Sequence, residues 1–391
     1  MCGRDWSSDV CSSDLKYMSI FNICSKFGII AVAQKEITKG LINNTSLVCD
    51  TEGHTYILQE INSFVFKDIK GLMENIDNIT KYLKLQIIKN GGDPTRETLS
   101  LIPCGESLFY QQKDSDSKMH YYRMYKNIEN AVTYDIASKD LLYKAGKGFG
   151  RFQKLLTNYP ASTLNESIKD FHNTPKRLKD FEEILKRTNE QTLDQAENEI
   201  IYLLQNKKIA SIITDALKSK TIPVRVSHND TKLNNVMLDE KTGEALCVID
   251  LDTIMAGSVL YDYGDAIRYS ANLGTENDTT TENVGLDKEK FLAFTDGFLS
   301  ELYDTLSANE IALLSKSVQV LTYELAIRFL SDYLQGNKYF KCDSKRPLHN
   351  LERARVQIKL LDELKKNEEY MNEEIEKIYK KYAKSTENLI F

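Results

Sequence analysis

His228, Asp230, Lys232 and Asn235 stand in an H-x-D-x-K-x-x-N pattern, and the apolar run 246–249 delivers Asp250 twenty positions after Asp230. These residue types suit phosphoryl transfer. Moving a phosphoryl group to an alcohol needs a carboxylate to orient and deprotonate the attacking hydroxyl, oxygen ligands for Mg²⁺ on the phosphates, and a cation beside the transferring group. Asp230 suits the first task, Asn235 and Asp250 the second, and Lys232 the third. Mg²⁺ takes few protein oxygens and keeps several waters, so one amide and one carboxylate make a workable set. Asp, Asn and Lys also crowd into ordinary surface turns. The joint spacing, with Asp250 closing a strand-like run, sets this segment apart from such a turn. His228 is read as a hydrogen-bonded support of the loop.

The elements that carry these residues belong to a chain of 391 residues, enough for two or three domains or one large bilobal one. Hydrophobic residues make up 41% and charged residues 28%, an ordinary balance with a substantial core. A net charge of −6 argues against a nucleic-acid partner. No apolar run reaches the length of a membrane span. The seven cysteines, an odd number with no C-x-x-C, suggest neither a disulfide framework nor a zinc site, and fit reduced thiols in a cytoplasm. Residues 1–15 hold a short echo of Ser-Ser-Asp and no apolar h-region. They resemble the translation of a sequencing adapter joined to a gene, so they are set aside as a non-native tail.

Residues 25–125 read as strand-rich. The runs 29–33, 37–48 and 55–58 flank a turn at 50–53, and a second hairpin is expected over 108–125. Between them, 66–84 has helical spacing through Ile69, Leu72, Met73, Ile76, Ile79 and Leu83. From Val132 the pattern turns helical: 140–157, one long helix over 193–218, two helices over 288–334, and a last one opened by Pro347 that runs to about 383. Residues 272–282, rich in Asn, Thr and Glu, read as an exposed loop. The expected division is an N-terminal lobe over 16–126 and a helical C-terminal lobe over 127–391.

The His228–Asp250 order resembles the catalytic and metal loops of protein kinases, and the segment as a whole resembles the aminoglycoside phosphotransferase and choline kinase superfamily. Its continuation through Asp252 and 260–268 is most similar to the N-acetylhexosamine 1-kinases, as are the blocks 56–62, 129–135, 328–334 and 349–355. The resemblance runs from about residue 25 to the end. It implies an α+β, bilobal, protein-kinase-like fold, with a small β-sheet lobe for the nucleotide and a larger helical lobe for catalysis and acceptor. It also implies ATP as phosphoryl donor, Mg²⁺ as cofactor, and transfer to the anomeric hydroxyl of N-acetylglucosamine or N-acetylgalactosamine. A kinase for choline, homoserine or another sugar is the alternative within the class, and a catalytically silent kinase-like binding protein the alternative outside it.

Several residues take roles from this resemblance. A downstream Asp braces the catalytic loop through backbone amides; Asp262 matches, with Asp265 the other candidate. Two readings stand for Asp252, a second carboxylate near the metal and a sugar contact. The turn 40–46, with Gly40, Asn44 and Thr45, stands equally as a phosphate-covering turn and as a plain hairpin turn. Where a phosphate-binding Lys is expected the chain has Gln59, whose expected helix partner is Glu74. For the sugar, the resemblance points to Arg328, Tyr339 and Tyr370. A guanidinium can bridge sugar hydroxyls, and aromatic rings offer faces to sugar C–H groups. A helix-surface charge is the competing account of Arg328.

Overall fold

A computed structural model describes residues 14–38, 42–343 and 345–387. Residues 1–13 of the presumed tail, and Gly40, lie outside the described residues. The chain forms two compact units. One ends at Ala131 and takes in Asn165–Ile168; the other comprises Val132–Leu164 and the chain from Lys169 onward.

The first unit is built on an antiparallel sheet of β1 (Ala31–Ile37), β2 (Asn44–Asp50), β3 (Thr55–Ile61), β4 (Leu101–Ile102), β5 (Tyr110–Lys113) and β6 (Met119–Lys126). The order is β1-β2-β3-β6-β4, with β5 also on β6. The β2–β3 turn closes because Asp50 Oδ1 accepts the amides of Glu52 and His54, each at 2.9 Å, and Gly53 takes a φ of 88° that side chains resist. Helix Ile69–Lys89 follows the expected spacing and runs one turn further. Asp68 caps it by accepting the Gly71 amide, and Ile76, Ile79 and Ile87 are fully buried. Fully burying an aliphatic side chain stabilises by about 1.5–3 kcal/mol, so this face outweighs the helix's weak β-branched propensity. Helix Asp14–Lys26, which the sequence reading did not foresee, packs Ile23 and Cys24, with Phe27 just beyond its end, against Val48, Leu58 and Met124 of the sheet. Asn165 belongs to this unit through a reciprocal pair: it donates its amide to Asn75 Oδ1 and accepts from Asn75 Nδ2, both at 2.8 Å.

The second unit is mainly helical. Its axis is Ala308–Leu334, opened by a capping box of Ser307 and Glu310 and buried along most of its length. Close approaches are made through glycine. A Cβ on Gly146 of helix Lys139–Leu155 would lie 2.3 Å from the Phe294 carbonyl oxygen, and one on Gly297 of helix Lys288–Leu302 2.0 Å from that of Tyr143. Gly148, on another side of the first helix, would meet Val236 Cγ1 at 2.9 Å. Val236–Asp239 and Ala245–Val248 form the antiparallel hairpin that flanks the H-x-D-x-K-x-x-N segment, while Arg225–Ser227 pairs with Met255–Gly257.

Three sequence expectations are corrected. The 193–218 helix is divided into Glu190–Gln195, Glu197–Gln205 and Ile212–Lys218, with a 3₁₀ turn at Lys207–Ser211. Asn206 turns its amide back on the Tyr202 carbonyl at 2.9 Å and ends the middle piece. The apolar period persists because Leu203 and Ala210 still feed one core. The last helix is likewise two, His349–Lys366 and Glu368–Glu387, broken where Asn367 bonds the Glu363 carbonyl. The 272–282 loop is not wholly exposed, since Glu276 pairs inward with Arg268 at 2.8 Å.

Candidate active site

The segment leaves Arg225–Ser227 and at once adopts a backbone that needs outside support. Asn229 has a φ of 65°, in the left-handed region that Asn tolerates better than most residues. Its side chain is fully engaged: Nδ2 donates to the carbonyls of Ser227 and Thr253, and Oδ1 accepts from the Ser227 hydroxyl at 2.7 Å. Asp262, 1% exposed in helix Val259–Ser270, receives the amides of His228 at 3.0 Å and Asn229 at 2.8 Å. The Ser227 hydroxyl and the Gln153 amide also donate to it. Burial raises its pKa, opposed by His228, the two backbone amides and Ser227. Asp265 does something else: it pairs with Arg268 at 2.7 Å. Of the two candidates for the brace, the backbone amides therefore go to Asp262.

His228 is fully buried, edge-on to Phe149 and Phe152. Its Nε2 donates to the Ile249 carbonyl at 2.9 Å, while Nδ1 accepts the Asp230 amide at 3.3 Å, which fixes the tautomer. The Ile249 amide in turn bonds the Asn235 carbonyl at 2.9 Å. Both polar backbone groups of Ile249 are thus held by the loop, and the next residue is Asp250. Asp250 is exposed, with a φ of 61°. Asp252 is buried in the turn Leu251–Thr253, and Thr253 Oγ1 donates to the His228 carbonyl at 2.7 Å.

Asp230 is gripped on both oxygens. Lys232 Nζ lies 2.7 Å from Oδ1, and Asn235 Nδ2 donates to Oδ2 at 3.0 Å and to the Asp230 carbonyl at 2.8 Å. Burial would lower the Lys232 pKa, but Asp230 outweighs it, with Asp265 and Glu276 adding to the effect, and the pKa rises. Committing Asn235 Nδ2 to Asp230 turns its Oδ1 to the other side, as a cation ligand would require. A half-buried carboxylate, a cation and an oriented amide within one loop can align a hydroxyl and neutralise charge on a phosphoryl group.

The first unit carries its own cluster. Thr45, Gln59 and Arg123 lie directly opposite one another on β2, β3 and β6. Gln59 Nε2 donates to Thr45 Oγ1 at 3.1 Å, and Arg123 Nε donates to Gln59 Oε1 at 2.9 Å. Glu74 is not the partner of Gln59; it pairs with Lys70 and accepts from Asn165. The row gives a reason for this: a cross-strand neighbour reaches Gln59 directly, and that neighbour is a cation. Asn44 bonds Glu60 across the same strands at 3.0 Å. Sequence reading missed Arg123, because only strand register reveals it.

Arg328 and Tyr339 come together around Phe340. The Arg328 guanidinium is 5.3 Å from the Phe340 ring centre and 6.0 Å from that of Phe171, and Tyr339, 65% exposed, stands edge-on to Phe340 at 4.9 Å. Arg328 is therefore half-buried between aromatic rings and not a simple surface charge. One turn away, Glu324 is buried and takes His172 at 3.0 Å and Thr174 at 2.6 Å. Burial would raise its pKa, but His172, Arg177 and Arg328 hold it down at about 2. Tyr370 is placed in a different group, with Phe291 and with Lys288 above its ring at 4.2 Å.

A model of the phosphotransferase enzyme family matches residues 34–286, well over half of the chain, including the whole His228–Arg268 stretch. The chain belongs to the phosphotransferase enzyme family. It is a phosphotransferase. Solved structures agree in fold. A microcompartment-associated aminopropanol kinase is 15% identical with a TM-score of 0.61, covering 91% of this chain and 98% of its own. An amicoumacin kinase in complex with AMP-PNP, Ca²⁺ and Ami is 11% identical with a TM-score of 0.56, covering 89% and 96%. A spectinomycin phosphotransferase in complex with ADP and spectinomycin is 12% identical with a TM-score of 0.52, covering 94% and 100%. The phosphotransferase thus has the expected α+β, protein-kinase-like fold, with the antiparallel sheet in its first unit and a mainly helical second unit. Among its described residues no helix is long and apolar enough to cross a membrane.

Proposed function

We propose that this kinase transfers the γ-phosphoryl group of ATP to the anomeric hydroxyl of an N-acetylhexosamine, giving the 1-phosphate. The observation that carries the acceptor reading is the grouping of Arg328 and the exposed ring of Tyr339 around Phe340. A planar set of donors beside an aromatic face suits a hydroxyl-bearing ring. The same grouping disfavours choline, because Arg328 and Arg353 already lie over Phe340 and a cationic acceptor would meet like charge. The sequence of 260–268 supports the same acceptor.

In this reading Asp230 orients the acceptor hydroxyl and takes its proton. Little proton transfer precedes bond breaking in a loose transition state, so alignment is its larger contribution. Lys232, held beside it, faces the charge of the transferring group. Asn235 and Asp250 hold Mg²⁺, and both offer hard oxygens, which suits that ion. Bound there, Mg²⁺ would neutralise phosphate charge. His228 and Asp262 keep the loop in place. Gly40, Asn44, Thr45 and Gln59 contact the nucleotide phosphates, and the Arg123 cation behind Gln59 offsets the missing lysine. Asp252 completes the acceptor side; Tyr370, grouped with Phe291 and Lys288 apart from Arg328 and Tyr339, is kept only as a more remote acceptor contact.

Phosphorus NMR on reactions with N-acetylglucosamine, N-acetylgalactosamine, the parent hexoses, choline and homoserine tests the proposal. An anomeric phosphate formed from the N-acetyl sugars, with higher kcat/KM than from the parent hexoses, is expected. A 6-phosphate, or turnover of choline or homoserine alone, would refute the acceptor assignment and leave the kinase assignment standing.

A further inference from the structure

Two of the sequence blocks, 328–334 and 349–355, have no part in the chemistry above beyond Arg328 and Arg353. In the structure they interlock. Helix Ala308–Leu334 ends in a sharp reversal through Gly336 and Asn337, with φ of 86° and 58°. The chain that follows carries Tyr339 and Phe340. Asp332, 4% exposed, accepts from this segment with both oxygens: the amides of Lys338 and Tyr339 at 2.8 Å on Oδ1, and the amide of Phe340 at 2.9 Å on Oδ2. Asn350, fully buried at the start of helix His349–Lys366, donates to Asp332 Oδ2 at 2.7 Å and to Asn337 Oδ1 at 3.0 Å. Its own Oδ1 accepts from Arg353 at 3.3 Å.

Arg353 then connects this loop with the rest of the site. Its guanidinium lies 3.8 Å from the ring centre of Phe329 and 5.4 Å from that of Phe340, and it meets Glu276 at 3.5 Å. Glu276 also pairs with Arg268, the partner of Asp265. Phe340 therefore contacts two guanidinium groups, Arg328 and Arg353, while its neighbour Tyr339 faces solvent. A three-residue stretch whose successive amides end on one buried carboxylate cannot rearrange without leaving charge-assisted hydrogen bonds unmade. An exposed aromatic ring on such a stretch is pre-organised, and binding to it costs little ordering entropy.

We propose that Asp332 and Asn350 are positioning residues for acceptor recognition, holding the 337–340 loop so that Tyr339 meets the acceptor at a fixed place beside Arg328. This rests on the assignment of Arg328 and Tyr339 to the acceptor side. Asp332→Asn would turn an NH₂ toward the donors of Phe340 or of Lys338 and Tyr339, and so loosen the loop without touching Asp230, Asn235 or Asp250.

The test uses the full chain and whichever of N-acetylglucosamine, N-acetylgalactosamine, choline or homoserine the unmodified kinase turns over fastest, so a wrong guess about the sugar does not affect it. Asp332→Asn and Tyr339→Ala should each raise the acceptor KM about tenfold or more and leave the ATP KM unchanged. The double variant should be no worse than the poorer single one, because Asp332 acts through Tyr339. Asn350→Ala, which spares the three backbone amides, should give a smaller change in the same sense and serves if Asp332→Asn fails to fold. An unchanged acceptor KM in folded Tyr339→Ala or Asn350→Ala, a parallel rise in ATP KM, or fully multiplicative losses in the double variant would overturn the proposal.

Discussion

Lys232 Nζ sits 2.7 Å from Asp230 Oδ1, so the carboxylate expected to align the acceptor hydroxyl already holds a cation of its own loop. The pair places negative and positive charge side by side, as the proposed meeting of an alcohol and a phosphoryl group requires. Asp230→Asn keeps the shape and the Asn235 contact but removes the charge. It should leave the fold and ATP affinity intact while lowering kcat by ~10²-fold or more. Single-turnover kinetics with a parallel nucleotide titration check this; near-native kcat would remove Asp230 from the mechanism.

Asp250 should behave differently. It follows Ile249, whose amide and carbonyl are both tied to the loop, which limits how far the strain of an alanine at its φ of 61° can spread. Asp250→Ala should abolish the Mg²⁺-dependent part of ATP binding, read by calorimetry with and without the metal. If affinity still rises normally with Mg²⁺, the ligand lies elsewhere.

Gly264 tests how the brace itself is held. A Cβ there would lie 2.6 Å from the Ser317 carbonyl oxygen, a backbone atom of the long helix Ala308–Leu334. Gly264→Ala should therefore push apart the helix of Asp262 and the helix of Arg328. We expect a loss of about 1–3 kcal/mol, the usual range for overpacking, seen as a lower Tm together with reduced kcat. An unchanged Tm would mean the two helices can shift freely.

His120 gives a pH dependence outside the site. Its Nδ1 is 2.5 Å from Glu60 and its Nε2 2.9 Å from Asp114. The hydrogen bonds to Glu60 and Asp114 raise its pKa above the usual 6.5. The bond to His120 lowers that of Asp114 below its usual 3.8. A raised histidine contributes stability that is complete below 6.5 and is lost as pH rises through the folded value. The depressed Asp114 adds a contribution that is complete above 3.8 and fades as pH falls through its lowered value. His120→Gln should thus lower Tm at about pH 5.5 and leave it nearly unchanged at about pH 9. An equal change at both pH values would show that packing, not charge, is responsible.

The local parts of this molecule could be read from the sequence. The order Asp230, Asn235, Asp250 is set around one hairpin, and hydrophobic spacing gave the helix of Leu72 and Ile76 because its period is internal to the segment. What escaped was set across the chain. Gln153 reaches Asp262 from 109 positions away, and Arg123 reaches Gln59 from 64; neither leaves a trace in its own neighbourhood. Glu276 sits in a stretch whose composition reads as solvated loop, and only the position of Arg268 explains its inward turn. Asn206 and Asn367 ended helices whose apolar period carried on past them, because the pieces pack against a common core and the period reports packing, not continuity.

Helix Lys139–Leu155 has a practical consequence for anyone redesigning acceptor choice. Gly146 and Gly150 press it against one neighbour and Gly148 against Val236, the residue after Asn235. A larger residue at Gly148 would press on the hairpin between Asn235 and Asp250, and one at Gly146 or Gly150 would push the helix off its neighbour, so either would disturb the spacing on which the proposed chemistry depends. Variation over 146–150 would be spent on inactive chains. The 337–340 loop, anchored through its backbone and open at the Tyr339 side chain, is where diversity can be introduced with the reaction centre left as it is.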